Sequence, residues 1–437
     1  MTEALHSQAQ LPIFSKMGGI SEFCHILRIN RIFTIVVITL CKSLHHIMRL
    51  LGRNGEALPG KLAQILCPDI LRRMAEGIHC VCVTGTNGKT TTVQMLSKLM
   101  KKRFGEDLME NILGVNLPQS ITFEFIHNTD CLGRMKCHYA VIECDEDFMP
   151  VVCRAVKPEI IVMTNLSEDQ VSRFSSVDYV FRRIRSGLEA CGGYAVFCAN
   201  ADDMYASRLA TEYAGKTLLF GKAGGKGKDL CVSWDGTSFE MTEDGFSYSL
   251  IVEGEGTMKV ESSIPGTFNV YNAMAALVAT KALGMRAGDY APYLKDVLPA
   301  ANRMEAFTID GIPMRMALVK NRASFDVMAE YAASLKYDIS IVLAQAAELP
   351  DDMNNDWVEH LDLSALERAS HIKKIFFTGK TADVWYKHFA DYGFGADRIV
   401  LIKDNDLLMA AIGRVGLPVM WLPCYSESIR LRKVLGI

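Results

Sequence analysis

The stretch Val81-Cys82-Val83-Thr84-Gly85-Thr86-Asn87-Gly88-Lys89-Thr90-Thr91-Thr92 decides how this chain folds. Apolar and β-branched residues from Ile78 to Val83 lead into a glycine-containing turn, which predicts a buried strand that ends at the turn. From Lys89 to Lys102 the apolar residues recur with the period of a helix. A strand, a glycine turn, Gly-Lys-Thr and a helix in this order are typical of a phosphate-binding loop.

The residue types in this turn fit the phosphates of a nucleotide. Gly85 and Gly88 let the backbone approach an anion closely, and the amide groups at the helix start point toward it. Lys89 supplies a positive charge, and the Thr90 hydroxyl suits Mg²⁺. The alternative is an ordinary strand-to-helix turn, since Val83 stands where the general pattern has its first glycine. We predict that ATP is bound by the loop residues Gly85, Thr86, Asn87, Gly88, Lys89, Thr90 and Thr91.

The short form Thr-Gly-Thr-Asn-Gly-Lys-Thr-Thr-Thr at residues 84–92 resembles the Mur ligases and folylpolyglutamate synthases, which join an amine to a carboxylate with ATP. Within that superfamily the chain resembles the MurT ligases, the ligase subunits of MurT–GatD amidotransferases. The resemblance covers roughly residues 48–437. It implies an α/β fold with a Mur-ligase-type central P-loop ATPase domain, which has a mainly parallel sheet and a β-rich insertion, followed by a smaller C-terminal α/β domain.

Length, composition and charge narrow the class of protein. The 437 residues, 49% of them hydrophobic, are enough for two or three domains. A net charge of −3 gives no general attraction to polyanions, so nucleic acid is not an implied partner. The 13 cysteines include no C-x-x-C pair, which favours free thiols and a cytoplasmic location. Several of them stand inside apolar runs and are expected to be buried: Cys80, Cys82, Cys144 and Cys198.

Residues 1–50 are predicted to form an N-terminal helical extension. The run from Ile32 to Cys41 is apolar but only ten residues long. A spanning helix needs about 20 apolar residues, so by length we do not expect a membrane anchor. A helix packed on the body of the protein is the favoured interpretation. The alternative is a helix that rests on a partner or, as a peripheral contact, on the inner face of the membrane.

A second buried strand is predicted over Tyr139–Glu143, and it ends in a cluster of acidic residues. A carboxylate at the carboxyl end of a parallel strand is where the Mg²⁺ of a bound nucleotide is usually held. Glu143 follows three apolar residues and matches the Val-Ile-Glu of the family, so we predict Glu143 and Thr90 as the magnesium ligands. The acids that follow it are expected to be solvated: Asp145, Glu146 and Asp147.

The resemblance also bears on the next strand, predicted over Glu159–Asn165. Other Mur ligases place a metal-binding histidine where Gln170 stands, whereas MurT proteins read Asp-Gln there, as this chain does. Asn165 and Gln170 can orient metal-bound water through their amide oxygens. Arg183 is the counterpart of a carbamylated lysine, and a guanidinium cannot be carbamylated, which disfavours a second magnesium site.

The resemblance places the adenine side and the domain linker further along the chain. Pro265 to Ala276 matches the adenine-side motif of the superfamily, so Asn269 and Asn272 are expected to contact the base. Asn302-Arg303-Met304-Glu305 resembles Gly-Arg-x-Glu, which gives Arg303 a contact with the phosphates, and a linker salt bridge is the alternative. The central domain is assigned to residues 51–298, with the β-rich insertion at about 215–262, and the C-terminal domain to residues 299–437.

The β-rich segment departs from its relatives in one respect. In MurT proteins this region usually holds a four-cysteine zinc ribbon. Only Cys231 is present here, so the segment cannot supply tetrahedral thiolate coordination. We therefore predict no zinc ribbon.

Residues 300–437 alternate strand and helix, with strands near 313–318, 338–345, 373–378, 398–402 and 418–422. The segment at 318–325 resembles a polar loop of MurT, and Lys320 is the candidate to grip the acceptor carboxylate. MurT carries an aspartate, three residues before a tryptophan, that completes the catalytic triad of its glutaminase partner. Asn354 stands at that position before Trp357, and Asp356 or Asp352 is expected to substitute for the aspartate, with a solvated loop as the alternative.

Taken with the resemblance, these features predict an ATP-dependent carbon–nitrogen ligase with Lys89, Glu143, Lys320, Asp356 and Asp352 as catalytic residues. The implied acceptor is the D-glutamate carboxylate of lipid II or a related cell-wall precursor, and the product is D-isoglutamine. Ammonia is implied to come from a GatD-like glutaminase subunit in a heterodimer. Two alternatives stay open: a stand-alone amino-acid ligase of the folylpolyglutamate or poly-γ-glutamate type, and a non-catalytic ATP-binding scaffold.

Overall fold

Two β-sheets organise the chain, and the phosphate-loop stretch belongs to the larger one. The computed structural model describes residues 31–51, 57–111, 116–167, 176–224, 229–242, 245–299, 302–347 and 356–437. Both sheets are mostly parallel and alternate with helices along the chain. The predicted α/β class and its two-part architecture are confirmed.

The larger sheet has nine strands in the order β2-β3-β1-β4-β5-β6-β7-β8-β9. Strands β1 to β7 run parallel, and β8 and β9 add an antiparallel edge. Its strands and the helices between them are α1 (Arg31–Leu50), α2 (Ala57–Leu66), α3 (Ile70–Ala75), β1 (His79–Thr84), α4 (Lys89–Phe104), β2 (Leu108–Glu110), α5 (Pro118–His127), β3 (Tyr139–Glu143), α6 (Met149–Val156), β4 (Ile160–Met163), α7 (Val177–Ala190), β5 (Val196–Asn200), α8 (Met204–Glu212), β6 (Thr217–Lys222), β7 (Leu230–Thr242), β8 (Gly245–Val252), β9 (Gly256–Ser262), α9 (Thr267–Ala282) and α10 (Ala287–Tyr290).

The second sheet has six strands in the order β10-β11-β15-β12-β13-β14. An antiparallel hairpin of β10 and β11 forms one edge, and the other strands run parallel. Its elements are β10 (Arg303–Ile309), β11 (Ile312–Ala317), α11 (Arg322–Ser334), β12 (Ile339–Ala344), α12 (Ser364–Arg368), β13 (Ile372–Thr378), α13 (Ala382–Tyr392), β14 (Ile399–Leu401), α14 (Asn405–Val415), β15 (Val419–Pro423) and α15 (Tyr425–Leu435). The predicted strands of this half are confirmed to within one or two residues at each end. We propose the domain boundary near residue 298, just before this sheet begins.

The two faces of β1 explain how the phosphate loop is held. Val81 and Val83 point into the cluster that also contains the apolar side of α4 and the small residues of α9. Cys80 and Cys82 point the other way, into the cluster formed with α6 and α7. The alternation follows from the two-residue period of a strand, and helices on both faces bury the strand from Cys80 to Thr84. The cysteines predicted to be buried thiols are confirmed as such.

The β-rich segment predicted at about 215–262 contains strands β6 to β9. It is continuous with the main sheet, because β6 pairs with β5 and β7 pairs parallel to β6. Helix α1 has 20 residues, about twice the apolar run, because it continues through an amphipathic second half. Val37, Ile38 and Cys41 of α1 are buried against the body of the protein, which confirms the favoured interpretation for that face.

Candidate active site

The loop between β1 and α4 requires glycine at two positions. Gly85 has φ of 126° and Gly88 has φ of 86°, both in the region that favours glycine. A Cβ atom at Gly85 would lie 2.3 Å from Thr164 Oγ1, and one at Gly88 would lie 2.2 Å from Asn272 Oδ1. Backbone conformation and lack of space therefore both exclude a side chain at these positions.

The two residues that follow β4 hydrogen-bond to the backbone of the phosphate loop. The side chain of Asn165 accepts a hydrogen bond from the Asn87 amide at 3.0 Å and donates one to the Asn87 carbonyl at 3.0 Å. The Thr164 hydroxyl donates to the same carbonyl at 2.7 Å. Asn165, predicted to orient metal-bound water, thus has its amide engaged with the loop backbone. Gln170 lies outside the described residues.

Lys89 lies at the start of α4 with its ammonium group turned back over the loop. Its Nζ donates to the Gly85 carbonyl at 2.5 Å and forms an ion pair with Glu146 Oε1 at 2.8 Å. Burial disfavours the charged form, but the carboxylates of Glu146, Glu143 and Asp145 together hold the pKa of Lys89 above its ordinary value. Lys89 is therefore held in its charged ammonium form, paired with Glu146.

The acids after β3 are not solvated, and the expectation for Asp145 and Glu146 is wrong. Both are buried, because the chain turns into a short 3-10 helix, Glu146–Phe148, directly after the strand. The Asp145 side chain caps this helix by accepting from the Asp147 amide at 3.1 Å. Asp147 is only half-buried and accepts hydrogen bonds from Tyr179 and Arg183. Sequence reasoning therefore missed Glu146, the ion-pair partner of the loop lysine.

The two predicted magnesium ligands meet at the loop. Thr90 Oγ1 donates to Glu143 Oε2 at 2.8 Å, and both residues are buried. The second oxygen of Glu143 accepts from Asn116 Nδ2 at 3.2 Å, and its amide donates to Asn111 Oδ1 at 2.7 Å. A hydroxyl and a carboxylate are hard oxygen donors that Mg²⁺ prefers, and Mg²⁺ completes its shell with phosphate and water. Within the described ranges no group of three or more His, Cys, Asp or Glu side chains offers a metal site built from protein alone.

The adenine-side asparagines lie next to the loop. Asn272 Oδ1 accepts a hydrogen bond from the Thr92 hydroxyl at 3.3 Å, and its amide nitrogen donates to Asn269 Oδ1 at 2.8 Å. Asn269 in turn donates to the Pro265 carbonyl at 2.5 Å. These bonds join the start of α9 to the start of α4. The contact with the base stays a prediction.

Arg303 opens β10, the first strand of the second sheet, and reaches toward the loop. Burial lowers the pKa of Arg303, and the negative charge of Glu143 acts in the opposite direction. The guanidinium and this carboxylate therefore interact electrostatically. The salt-bridge alternative requires an ion pair of Arg303, and none is found among the described residues. The residues on either side, Asn302 and Met304, have φ of 61° and 63°. The backbone is thus bent sharply around this arginine.

The other predicted site residues lie in the second half of the chain. Lys320 is half-buried between β11 and α11, and its amide donates to Ser324 Oγ at 3.1 Å. Asp352 and Asn354 lie outside the described residues, and Asp356 begins the 3-10 helix Asp356–His360. Trp357 packs against Trp385 with ring centroids 5.3 Å apart. Thr90 and Glu143 are therefore in contact at the phosphate loop, and Arg303 interacts electrostatically with Glu143. The roles of Lys320, Asp352 and Asp356 stay predictions.

Comparison with known proteins agrees with the fold and with the family resemblance. The family model of the Mur ligase middle domain matches residues 83–280. The MurT subunit of lipid II isoglutaminyl synthase (glutamine-hydrolyzing) from Staphylococcus aureus (strain COL) is 27% identical over 79% of this chain and 85% of its own length. The corresponding subunit from Streptococcus pneumoniae (strain ATCC BAA-255 / R6) is 26% identical over 74% of this chain and 79% of its own length.

Solved structures show the same fold at lower identity. MurF from Acinetobacter baumannii superimposes with a TM-score of 0.70 at 16% identity, over 86% of this chain and 80% of that one. Mycobacterium tuberculosis folylpolyglutamate synthase, solved with ADP and AMPPCP, gives a TM-score of 0.64 at 13% identity over 96% of this chain and 99% of that one. The resemblance inferred from the loop motif is confirmed, and residues 83–280 of this chain match the Mur ligase middle domain.

Proposed function

We propose that the chain is the ATP-dependent ligase subunit of a glutamine-hydrolysing amidotransferase, and that it activates a carboxylate for amidation by ammonia. One observation carries the proposal: the loop between β1 and α4 places the charged Lys89 beside the buried pair Thr90–Glu143. A cation and two hard oxygen donors at a glycine loop are what phosphoryl transfer from ATP requires.

The proposed chemistry begins with a carboxylate, which is a poor electrophile because its charge repels nucleophiles. An acceptor carboxylate oxygen attacks the γ-phosphorus of ATP, the bond to the β-phosphate oxygen breaks, and ADP leaves behind an acyl phosphate. Ammonia then attacks the acyl carbon, phosphate departs with the carbon–oxygen bonding pair, and a proton is lost to give the amide. Lys89 and the loop amides stabilise the negative charge that develops in the first step.

Thr90 and Glu143 would hold Mg²⁺, which supplies positive charge to the phosphate oxygens when it is bound. Arg303 comes from the second sheet and would contact the same phosphates from the opposite side. Lys320, at the tip of β11, is proposed to grip the acceptor carboxylate. Because Lys320 and Arg303 belong to the second sheet, the acceptor is expected to bind between the two halves of the chain.

The names of the MurT relatives indicate the acceptor and the source of ammonia. Those proteins are subunits of an enzyme that hydrolyses glutamine and makes lipid II isoglutaminyl groups. By analogy we propose the D-glutamate carboxylate of a lipid II-like precursor as the acceptor, and a GatD-like glutaminase subunit as the partner. We place the complex in the cytoplasm, at the inner face of the membrane where a lipid-linked acceptor is available. Asp356 or Asp352 is proposed to serve the triad of the partner.

A second candidate function is a stand-alone amino-acid ligase. It is favoured by the similarity to folylpolyglutamate synthase, which covers 96% of this chain. That enzyme class adds an amino acid to the activated carboxylate and needs no glutaminase.

Phosphate release tests the two candidates directly. The purified chain is assayed with MgATP, a lipid II acceptor and either ammonium or free amino acids. The proposal expects phosphate release that depends on acceptor and on ammonium, together with an amidated product in the mass spectrum. Release that depends on an amino acid supports the second candidate, and the absence of release in all mixtures contradicts both.

A further inference from the structure

Helix α1 has two apolar faces, and only one of them is covered by the protein. The inner face contributes Val37, Ile38 and Cys41 to the core, where they join residues of α3 and α5. This packing holds the helix along the surface of the larger domain. The helix is therefore part of the folded body and not a separate segment.

The opposite face consists of large apolar side chains that are exposed to solvent. They recur every three, four or seven residues, which places them along one side of the helix. This outer face of α1, with the residue that follows the helix, is formed by Ile32, Val36, Leu40, Ile47, Leu50 and Leu51, which are between 47% and 74% exposed. A contiguous apolar surface of this kind marks an interaction site, whereas single exposed apolar residues do not.

The neighbouring helix α2 also exposes large apolar side chains. On α2, Leu58 and Ile65 are more than half exposed. The sequence from 31 to 66 contains five basic residues and one acidic residue, Glu56, although the whole chain has a net charge of −3; the basic residues are Arg31, Lys42, Arg49, Arg53 and Lys61. Lys42 donates to the Thr129 carbonyl and anchors α1, while Arg49 and Lys61 are exposed. An apolar face on helices in which basic residues outnumber acidic ones is complementary to an anionic lipid surface.

We propose that the outer face of α1 binds the surface of an anionic phospholipid bilayer, with the helix lying in the plane of the interface. By length and composition the segment Ile32–Leu50 is also sufficient to cross a bilayer. Crossing would remove Val37 and Cys41 from the core, where neither is exposed, so the geometry favours a helix that lies on the membrane. Pairing of two copies through this face would bring like charges at Arg49 and Lys61 together.

Such a contact would hold the active site near a lipid-linked acceptor. Only this role rests on the proposed function, since vesicle binding itself requires neither ATP nor acceptor. Failure of vesicle binding and failure of the ligase reaction are therefore separate results.

The test is flotation of the full-length protein with vesicles of phosphatidylglycerol and phosphatidylcholine, compared with phosphatidylcholine alone. The wild type is expected to float with the anionic vesicles and to dissociate as salt is raised. The double variant Leu40→Asp/Ile47→Asp should bind the anionic vesicles at least about tenfold more weakly than the wild type, because it places charge on the side of the helix that would face the lipid. The matched control Met204→Asp/Leu407→Asp changes residues that are 69% and 63% exposed elsewhere and should bind like the wild type.

A charge-reversal variant, Arg49→Glu/Lys61→Glu, keeps the apolar face and should lose the preference for anionic vesicles. Light scattering and thermal unfolding verify that each variant is folded. The proposal is overturned if the wild type does not float with anionic vesicles, or if Leu40→Asp/Ile47→Asp floats as well as the control. A wild-type dimer that this double variant splits, without any vesicle binding, would assign the face to a second copy and also overturn it.

Discussion

The ammonium nitrogen of Lys89 lies 2.8 Å from Glu146 Oε1, so the loop lysine is already neutralised by a carboxylate of its own chain. The side chains of Lys89 and Glu146 are 12% and 7% exposed, which makes this a buried ion pair. Glu143, three residues earlier, is hydrogen-bonded to Thr90 instead. The two acids therefore have different tasks: Glu146 holds the lysine, and Glu143 holds the hydroxyl that suits a metal ion. We infer that Lys89 exchanges Glu146 for phosphate oxygens when the nucleotide binds.

Replacing the loop lysine tests the phosphate-binding role. Lys89→Ala is expected to lower the rate of ATP-dependent phosphate release by about 10²–10³-fold or to abolish it, because one preorganised charge is lost from the transition state. Arg103→Ala, an exposed basic residue in the last turn of the same helix, is the matched control and should be unaffected. Unchanged turnover in Lys89→Ala would rule out the phosphate-loop mechanism.

Removing the partner carboxylate tests the ion pair. Glu146→Gln is expected to lower the free energy of unfolding by about 3 kcal/mol, because it removes the carboxylate that is paired directly with a buried ammonium. The folded state raises the pKa of Lys89, so the stabilisation is fully present below the ordinary lysine pKa of about 10.4. It is lost as the pH rises through the higher folded-state value.

Chemical denaturation of the wild type and Glu146→Gln at several pH values measures this difference. It should be constant near neutral pH and should shrink in the strongly alkaline range. A difference that is absent at neutral pH, or that does not change with alkaline pH, contradicts the assigned ion pair.

The same region shows what could be predicted from the sequence. The strand, loop and helix around Gly85 and Gly88 were predictable, because apolar periodicity and glycine placement are local properties of the chain. The meeting of Thr90 with Glu143 followed as well, because parallel strands end at one edge of a sheet. The burial of Glu146 was not predictable. It depends on how tightly the chain turns after β3, and in sequence an acidic run looks like a solvated surface.

Two further features were predicted only in part. The β-rich segment at 215–262 carried local strand signals, but only the pairing of β7 with β6 shows that it continues the main sheet. The apolar run Ile32–Cys41 indicated a helix but not its length, since α1 continues to Leu50 beyond the continuous apolar sequence.

A methyl group at Gly88 tests the contact between the loop and α9. Gly88→Ala would place Cβ 2.2 Å from Asn272 Oδ1 at a φ of 86°, so strain and a clash add together. We expect loss of ATP binding by calorimetry and a drop in stability of more than about 1 kcal/mol. Gly105→Ala, at the other end of the same helix, is the matched control because its φ is 61° and no atom lies within 4 Å of the added Cβ.

Gly105→Ala should lower the free energy of unfolding by only about 1 kcal/mol and should leave ATP binding unchanged. Asn272→Ala in the Gly88→Ala background makes room for the methyl group and should recover part of the stability. If Gly88→Ala and Gly105→Ala behave alike, the packing of Asn272 against the loop is not what limits this position.

The magnesium dependence of phosphate release tests the metal-binding role of Thr90. Thr90→Val keeps the shape of the side chain but removes the oxygen that lies 2.8 Å from Glu143. The concentration of Mg²⁺ that gives half-maximal phosphate release should rise about tenfold or more. Thr211→Val makes the same chemical change on the exposed face of α8 and should leave it unchanged. An unaltered magnesium requirement in Thr90→Val would remove Thr90 from the proposed site.

The central claim is that a phosphoryl group passes from ATP to an acceptor carboxylate, and an oxygen label measures this transfer directly. The acceptor is prepared with ¹⁸O in the carboxylate and incubated with the enzyme, MgATP and ammonium, and the released phosphate is analysed by mass spectrometry. The acyl phosphate route moves one carboxylate oxygen into each phosphate, so the account predicts one ¹⁸O atom per phosphate released. Unlabelled phosphate together with an amidated product would contradict it.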